Sequence, residues 1–255
     1  MALLEVCCGN LASVDAAVAG GAKRIELCKD LEVDGLTPPV DWIRAVRARH
    51  PSLILHVLIR PRAGDFVHAP EEADVLVRQI EEALEAGADG IVVGGLTLSG
   101  DVDVPLMERL VATVDSFRLA AELLQSDLCH AANDDHFFPG PPRRIGLTFH
   151  RAFDRCRRPF EALEQIIGLG FDRILTSGQK ATAEEGLKTL LALRQRARGR
   201  ILILPGGGVT PTNAAHILAE TGCTEIHASA SETVDGKKMT STEKVKAILQ
   251  SIRNR

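Results

Sequence analysis

Apolar residues along this chain follow two alternating rhythms. Short stretches alternate apolar and polar with the period of a strand, and longer stretches repeat every three or four residues, as a helix face does. The period-two stretches predict strands over residues 3–7, 24–28, 53–60, 90–93, from Gly146 to about His150, 173–176, 200–204 and 225–229. Helices fall between them. Val14, Ala17, Val18 and Gly21 share one face, and Trp42, Ile43 and Val46 mark the next helix. Residues 71–87 carry Leu76, Ile80, Ala83, Leu84 and Gly87 at helical spacing, and a fourth helix starts near Pro105. Two more cover residues 160–169 and 183–196. Thr210-Pro211 reads as an N-cap followed by proline at the first helical position, opening a helix that runs to Thr221. The last helix carries Val245, Ile248, Leu249 and Ile252.

Strict alternation of strand and helix requires parallel strands joined by helical crossovers. Eight such units in 255 residues predict a single-domain (β/α)8 TIM barrel over residues 1–255. A dinucleotide-binding fold would want Gly-x-Gly-x-x-Gly after the first strand; Cys7-Cys8-Gly9-Asn10 does not supply it, so no nucleotide cofactor is expected. An internal repeat supports the barrel. A glycine precedes the core of each even strand at a fixed offset, in Gly21-Ala-Lys-Arg-Ile25, Gly87-Ala-Asp-Gly-Ile91, Gly170-Phe-Asp-Arg-Ile174 and Gly222-Cys-Thr-Glu-Ile226. Glycine just past a helix end takes the left-handed conformation cheaply. The longest interval, Gly87 to Gly170, locates an insertion between the fourth helix and the fifth strand. Within it, 129–144 reads as an exposed loop in which Asn133, Asp134, Asp135 and His136 could ligate a hard cation or simply be solvated.

Composition changes this picture by exclusion. With 45% hydrophobic and 25% charged residues the chain can bury a sizeable core. A net charge of −4 gives no attraction to nucleic acid or anionic membrane, and the absence of Tyr beside a single Trp argues against base stacking. No apolar run reaches the ~20 residues of a membrane span. A strand begins almost at once, which leaves no room for a signal peptide. The six cysteines form neither Cys-x-x-Cys nor a zinc spacing, and so predict free thiols in a cytoplasmic compartment.

Strand parity supplies the candidate chemistry. Leu4, Val6, Ile25, Leu27, Val57, Ile59, Ile226 and Ala228 should face the helices. Glu5, Cys7, Glu26, Cys28, His56, Arg60, Thr148, His150, Glu225, His227 and Ser229 should then point inward, where branched apolar residues usually sit. Low in the barrel this set predicts an ion-pair network of Glu5 and Glu26 with Arg24, Arg60 or Arg173. At the C-terminal strand ends it predicts a functional mouth. Cys7 and Cys28 end neighbouring strands, each after an inward Glu; two close thiolates suit Cu(I), and two small buried thiols would look the same. Arg60-Pro61-Arg62 with Asp65 offers a fork for carboxylate or phosphate, or a surface Arg–Asp pair. Gly206-Gly207-Gly208 leads into a helix and could approach an anion through its backbone, or form a tight turn. His150, Arg151 and Asp154, with His227, Ser177 and Ser229, bring acid/base and anion-holding groups together, His150, Asp154 and His227 being the proton-transfer candidates. A salt bridge from Arg151 to Asp154 is the plainer alternative.

Seven motifs in order carry a resemblance. They are Glu5-Val6-Cys7; Arg24-Ile25-Glu26-Leu27-Cys28; Ile59-Arg60-Pro61-Arg62 with Gly64-Asp65-Phe66; Phe149-His150-Arg151-Ala152-Phe153-Asp154; Leu175-Thr176-Ser177-Gly178; Pro205-Gly206-Gly207-Gly208-Val209; and His227-Ala228-Ser229-Ala230. Together they resemble the CutC family, named for copper homeostasis, over nearly the whole chain. The 116–143 segment is longer than the family pattern, and Cys8 and the tail after Val234 depart from it. The resemblance implies a (β/α)8 barrel, a cytoplasmic homo-oligomer (dimer or tetramer) and Cu(I) held by Cys7 and Cys28. Two readings stand beside each other: a Cu(I)-binding protein, and a barrel enzyme acting on a small anionic or phosphorylated substrate.

Overall fold

The computed structural model describes residues 2–131, 144–234 and 236–253, with the backbone alone over 124–131. The chain runs β1 (Leu3–Cys8), α1 (Leu11–Ala19), β2 (Arg24–Leu27), α2 (Val40–Arg49), β3 (Ile54–Leu58), α3 (Pro70–Glu85), β4 (Gly90–Val93) and α4 (Val104–Ala131). It continues β5 (Gly146–Phe149), α5 (Pro159–Gly168), β6 (Arg173–Thr176), α6 (Leu187–Ala197), β7 (Leu202–Pro205), α7 (Ala214–Thr221), β8 (Glu225–Ala228), β9 (Ser231–Val234), β10 (Lys237–Thr240) and α8 (Thr242–Arg253). The first eight strands are parallel in the order β7-β6-β5-β4-β3-β2-β1-β8, and a parallel bridge from Gly206 to His227 closes the ring. The molecule is the expected (β/α)8 barrel.

Two layers of burial explain the closure. Leu4, Val6, Ile25, Leu27, Val57, Ile59 and Ile226 are buried in one continuous core with helix residues such as Val14, Ile43, Leu76, Ile80 and Ile248. Each such side chain contributes roughly 1.5–3 kcal/mol on burial. Inside the ring a separate small cluster of Cys28, Leu58 and Val92, with Cys7 and Leu31 against it, underlies the mouth. Glycines at the start of β4 and just past its end leave room for imidazoles. A side chain at Gly90 would place its first carbon 2.6 Å from His56 Cδ2, and one at Gly94 would sit 2.7 Å from His150 Nδ1.

The repeat is borne out. Gly21, Gly87, Gly170 and Gly222 all have positive φ, from 67° to 100°. Two copies also carry an Arg–Asp clasp at the barrel floor. Arg47 donates to Gly87 O and to Asp89, whose Oδ2 accepts Leu55 N; Arg118 donates to Ile145 O and to Asp172, whose Oδ2 accepts Leu147 N. Each Asp thus satisfies the N–H of the second residue of a neighbouring strand while neutralising a helix arginine.

Three expectations are corrected. The seventh helix begins at Ala214, not at Pro211: Asn213 precedes it, and Asn213 Oδ1 accepts Thr210 N, so residues 210–213 form a turn first. The fourth helix continues to Ala131, into the stretch expected to be loop from 129. The β9–β10 hairpin was not anticipated; its antiparallel pairing runs from Lys237 with Val234 to Thr240 with Ser231. The cation candidates Asn133, Asp134, Asp135 and His136 lie outside the described residues.

Candidate functional site

The inward polar set sorts into two layers. In the lower layer Glu5 is fully buried, with Oε2 2.7 Å from Arg24 Nε and 2.9 Å from His56 Nδ1. Glu225 Oε2 accepts from Arg24 (2.5 Å) and Arg173 (2.8 Å). Burial opposes the charge on Glu5, but Arg24, His227 and His56 outweigh it and hold the carboxyl well below its usual range. This is the expected ion-pair network, with two changes of membership: among the described residues, Glu26 pairs with His227 and with no arginine, and Arg60 pairs with no carboxylate.

The upper layer opens into a cavity of about 1140 Å³ at the strand C-termini, lined by Cys7, Glu26, Cys28, His150, Arg151 and His227 among others. Cys7 Sγ and Cys28 Sγ lie 3.6 Å apart at its floor. They come together because β1 and β2 pair with Cys7 opposite Glu26, which sets Cys28 just above. Hydrogen bonding to Cys28, burial and the Glu26 carboxylate push the Cys7 thiol well above its ordinary range. His227 Nδ1 is 2.9 Å from Glu5 Oε1, and its Nε2 is 3.4 Å from Glu26 Oε2. Burial favours a neutral ring, yet Cys7, Glu5 and Glu26 together raise its pKa well above the ordinary histidine value. Burial raises Glu26 to about 7 against the pull of His227.

His150 faces the same cavity from the end of β5. Its Nδ1 accepts Ala152 N at 3.2 Å, which leaves Nε2 as the N–H, and its ring lies 5.0 Å from that of Phe66. Burial, with Arg60 nearby, lowers its pKa to about 3. The ring is therefore a neutral donor at physiological pH.

The other predicted residues divide. Arg60 lines the cavity, but its guanidinium donates to the carbonyls of Val33, Gly35 and Gly64 and lies 5.1 Å from the Phe66 ring centroid. It braces loops and forms no fork with Arg62. Arg62 points away, to Glu72, Asp65 and the Val67 carbonyl. Asp65 stands at the rim, paired with Arg62. Asp154 accepts from Thr176 Oγ1 (2.5 Å), the N–H groups of Ser177 and Gln179, Ser177 Oγ and Arg151 Nε (2.8 Å). Its lone pairs are occupied, so it organises the loop after β6 and orients Arg151 instead of moving protons. Ser177 Oγ, bound to Asp154 and the Lys180 carbonyl, supports the same loop. Glu5 belongs to the lower network. Gly207 and Gly208 reach the cavity, with φ of 99° and 68°, whereas Gly206 lies below it in the closing bridge. Ser229 faces the cavity with its Oγ 3.1 Å from Ser231 Oγ.

Sequence reasoning missed Lys238 and Lys244, which reach the rim from β10 and α8. It also missed that Cys7, Glu26 and His227 each place a ligand atom within 4.8 Å of the others. Parity had put all three inward; only the β8–β1–β2 register brings their tips together.

Comparison with known proteins bears on this mouth. The CutC family model matches residues 2–130 and 142–232. The family protein CutC of Bacteroides fragilis (strain ATCC 25285) is 44% identical over 232 residues, which is 91% of this chain and 81% of that protein. Its namesake from Chromobacterium violaceum is 41% identical over 228 residues, 89% of this chain and 81% of that protein. A crystal structure assigned to the copper homeostasis protein CutC of Streptococcus agalactiae superposes with a TM-score of 0.75 at 30% identity, covering 90% of this chain and 99% of that one. Phosphoribosylanthranilate isomerase from Thermotoga maritima shares the fold alone, with a TM-score of 0.59 at 13% identity over the full length of both chains.

Proposed function

The chain belongs to the CutC family, and from that premise we propose that it takes part in copper homeostasis by binding Cu(I) through Cys7 and Cys28. The observation that carries the reading is the 3.6 Å separation of the two sulfurs at the cavity floor. Soft, polarisable thiolates are the donors Cu(I) prefers. Leu31, Leu58 and Val92 pack around the pair and give it an apolar floor. The Cys7 thiol, pushed up by Cys28 and by burial, carries a proton in the metal-free protein, so binding releases it and tightens as pH rises.

An anaerobic competition titration against a chromogenic Cu(I) chelator tests this. Wild type should hold about one Cu(I) per chain, and Cys7→Ser/Cys28→Ser should lose it. Binding unchanged in the double variant would defeat the proposal.

A second reading has its own observation. The cavity is far larger than one ion needs, and Arg151, Gly207, Gly208 and Ser229 line it with Lys238 and Lys244 at the rim. These groups suit a small anionic or phosphorylated substrate, with His150 and His227 placed for proton transfer. Thermal stabilisation by inorganic phosphate that is lost in Arg151→Gln would support it. An equal shift in both proteins would remove it.

A further inference from the structure

We infer that the mouth also holds a divalent metal of the zinc class, on Cys7 Sγ, a Glu26 carboxylate oxygen and His227 Nε2, with its open coordination position facing the cavity. This does not rest on the Cu(I) reading: the two sites share Cys7, but this one does not need Cys28.

Four observations converge on it. The three ligand atoms already lie within 4.8 Å of one another, on β1, β2 and β8, adjacent strands of a rigid barrel. The donor set mixes sulfur, oxygen and nitrogen, which suits a borderline dication better than Cu(I), for which a carboxylate is a poor ligand. Charge points the same way. A thiolate, a carboxylate and a neutral imidazole carry two negative charges, which a dication cancels in a buried setting where residual charge is penalised. The ring is also oriented for the task. Glu5 Oε1 meets His227 Nδ1 at 2.9 Å, and Glu5 is itself anchored 2.7 Å from Arg24, so Nε2 is turned toward Glu26 and Cys7. A buried carboxylate behind a ligating histidine fixes the tautomer and orientation a metal requires.

Three protein ligands and an opening are the arrangement of a catalytic centre, whereas a closed four-ligand shell is structural. An ion here would face the cavity shared by His150 and Arg151. It would present a bound water or a substrate oxygen to them. On entering, the metal displaces the protons held on its three ligand atoms, and these leave to solvent.

Anaerobic titration with Co2+ as the optical probe decides the matter. Wild type should develop a thiolate-to-cobalt band in the near ultraviolet together with intense visible transitions of a low-coordinate site, and Zn2+ should displace both. Cys28→Ser should keep the cobalt spectrum while losing Cu(I). Glu26→Gln should lose cobalt while keeping Cu(I), as should His227→Gln. Glu5→Gln, which removes the carboxylate behind the ring and touches no ligand atom, should weaken Co2+ by about 10–100-fold. Should His227→Gln not fold, Glu26→Gln carries the test, because Glu26 stands outside the arginine network. Cobalt binding lost in Cys28→Ser, or unchanged in Glu26→Gln, would overturn the inference whatever the outcome for Cu(I).

Discussion

The two halves of the barrel interior both bury polar side chains and behave oppositely. Below, Glu5, Glu225, Arg24 and Arg173 interlock, and each charge faces an opposite one within 2.5–2.8 Å. Above, Cys7, Cys28, Glu26 and His227 are also buried or nearly so, but they form a group of donors around a cavity with, among the described residues, no arginine as an ion-pair partner. The lower half is closed electrostatically and serves as a foundation. The upper half has coordination capacity left over, which is what a ligand needs. One residue joins them: Glu5 touches Arg24 and His56 below and His227 above.

The sharpest way to break this contrast is to remove the shared cation. Arg24→Met should destabilise the fold by about 3–5 kcal/mol, because it leaves Glu5 and Glu225 buried with their main counter-charge gone. Cys7→Ala in the upper half should change stability by no more than about 1 kcal/mol. Urea denaturation of both proteins measures the difference, and equal losses would erase the distinction drawn here. Next in size, Asp154→Asn should cost about 1.5–3 kcal/mol through lost charged hydrogen bonds, and should loosen Arg151 at the cavity wall. Limited proteolysis between residues 176 and 186 would register that loosening.

Acid offers a third test. His150 is depressed in the folded state to about 3 from 6.5, so the fold favours its neutral form. Its contribution is full above the unfolded value and is lost as pH falls from 6.5 toward 3. Wild type should therefore lose stability more steeply than His150→Gln between pH 6 and 5, by up to about 1.4 kcal/mol per unit. Parallel pH profiles would show that His150 is not buried as described. The smallest effect is expected at the rim. Leu98 is 94% exposed on the loop after β4, and Leu98→Ser should alter the thermal midpoint negligibly, within about 0.5 kcal/mol.

How much of this was legible in the sequence follows from what each feature depends on. Strand parity is local, so the inward placement of Cys7, Glu26, Cys28, His150 and His227 could be read directly, as could the barrel from eight alternating units. The fate of Arg60 could not. Its partners are carbonyls of a different loop, Val33 and Gly35, and no side-chain pattern announces a backbone acceptor. Asp154 likewise looked like a proton carrier until the N–H groups of Ser177 and Gln179, 23 and 25 residues away, were seen to converge on it. The β9–β10 hairpin lacks apolar alternation, since Lys237 and Lys238 open its second strand, though the Asp235-Gly236 dipeptide was a turn signal available to use.

The closing bridge of the ring has a kinetic consequence. β1 and β2 pair at four positions, whereas the seam between β7 and β8 is bridged, among the described residues, by the single pair of Gly206, just past β7, and His227. A ring so sewn has a built-in parting line. Its cheapest fluctuation unzips that line and leaves the other strand pairs intact, so amide hydrogens that face the β7–β8 seam should exchange with solvent sooner than those between β1 and β2. Because His227 is one of the two residues of that last stitch, the breathing of the whole barrel is felt first at the mouth.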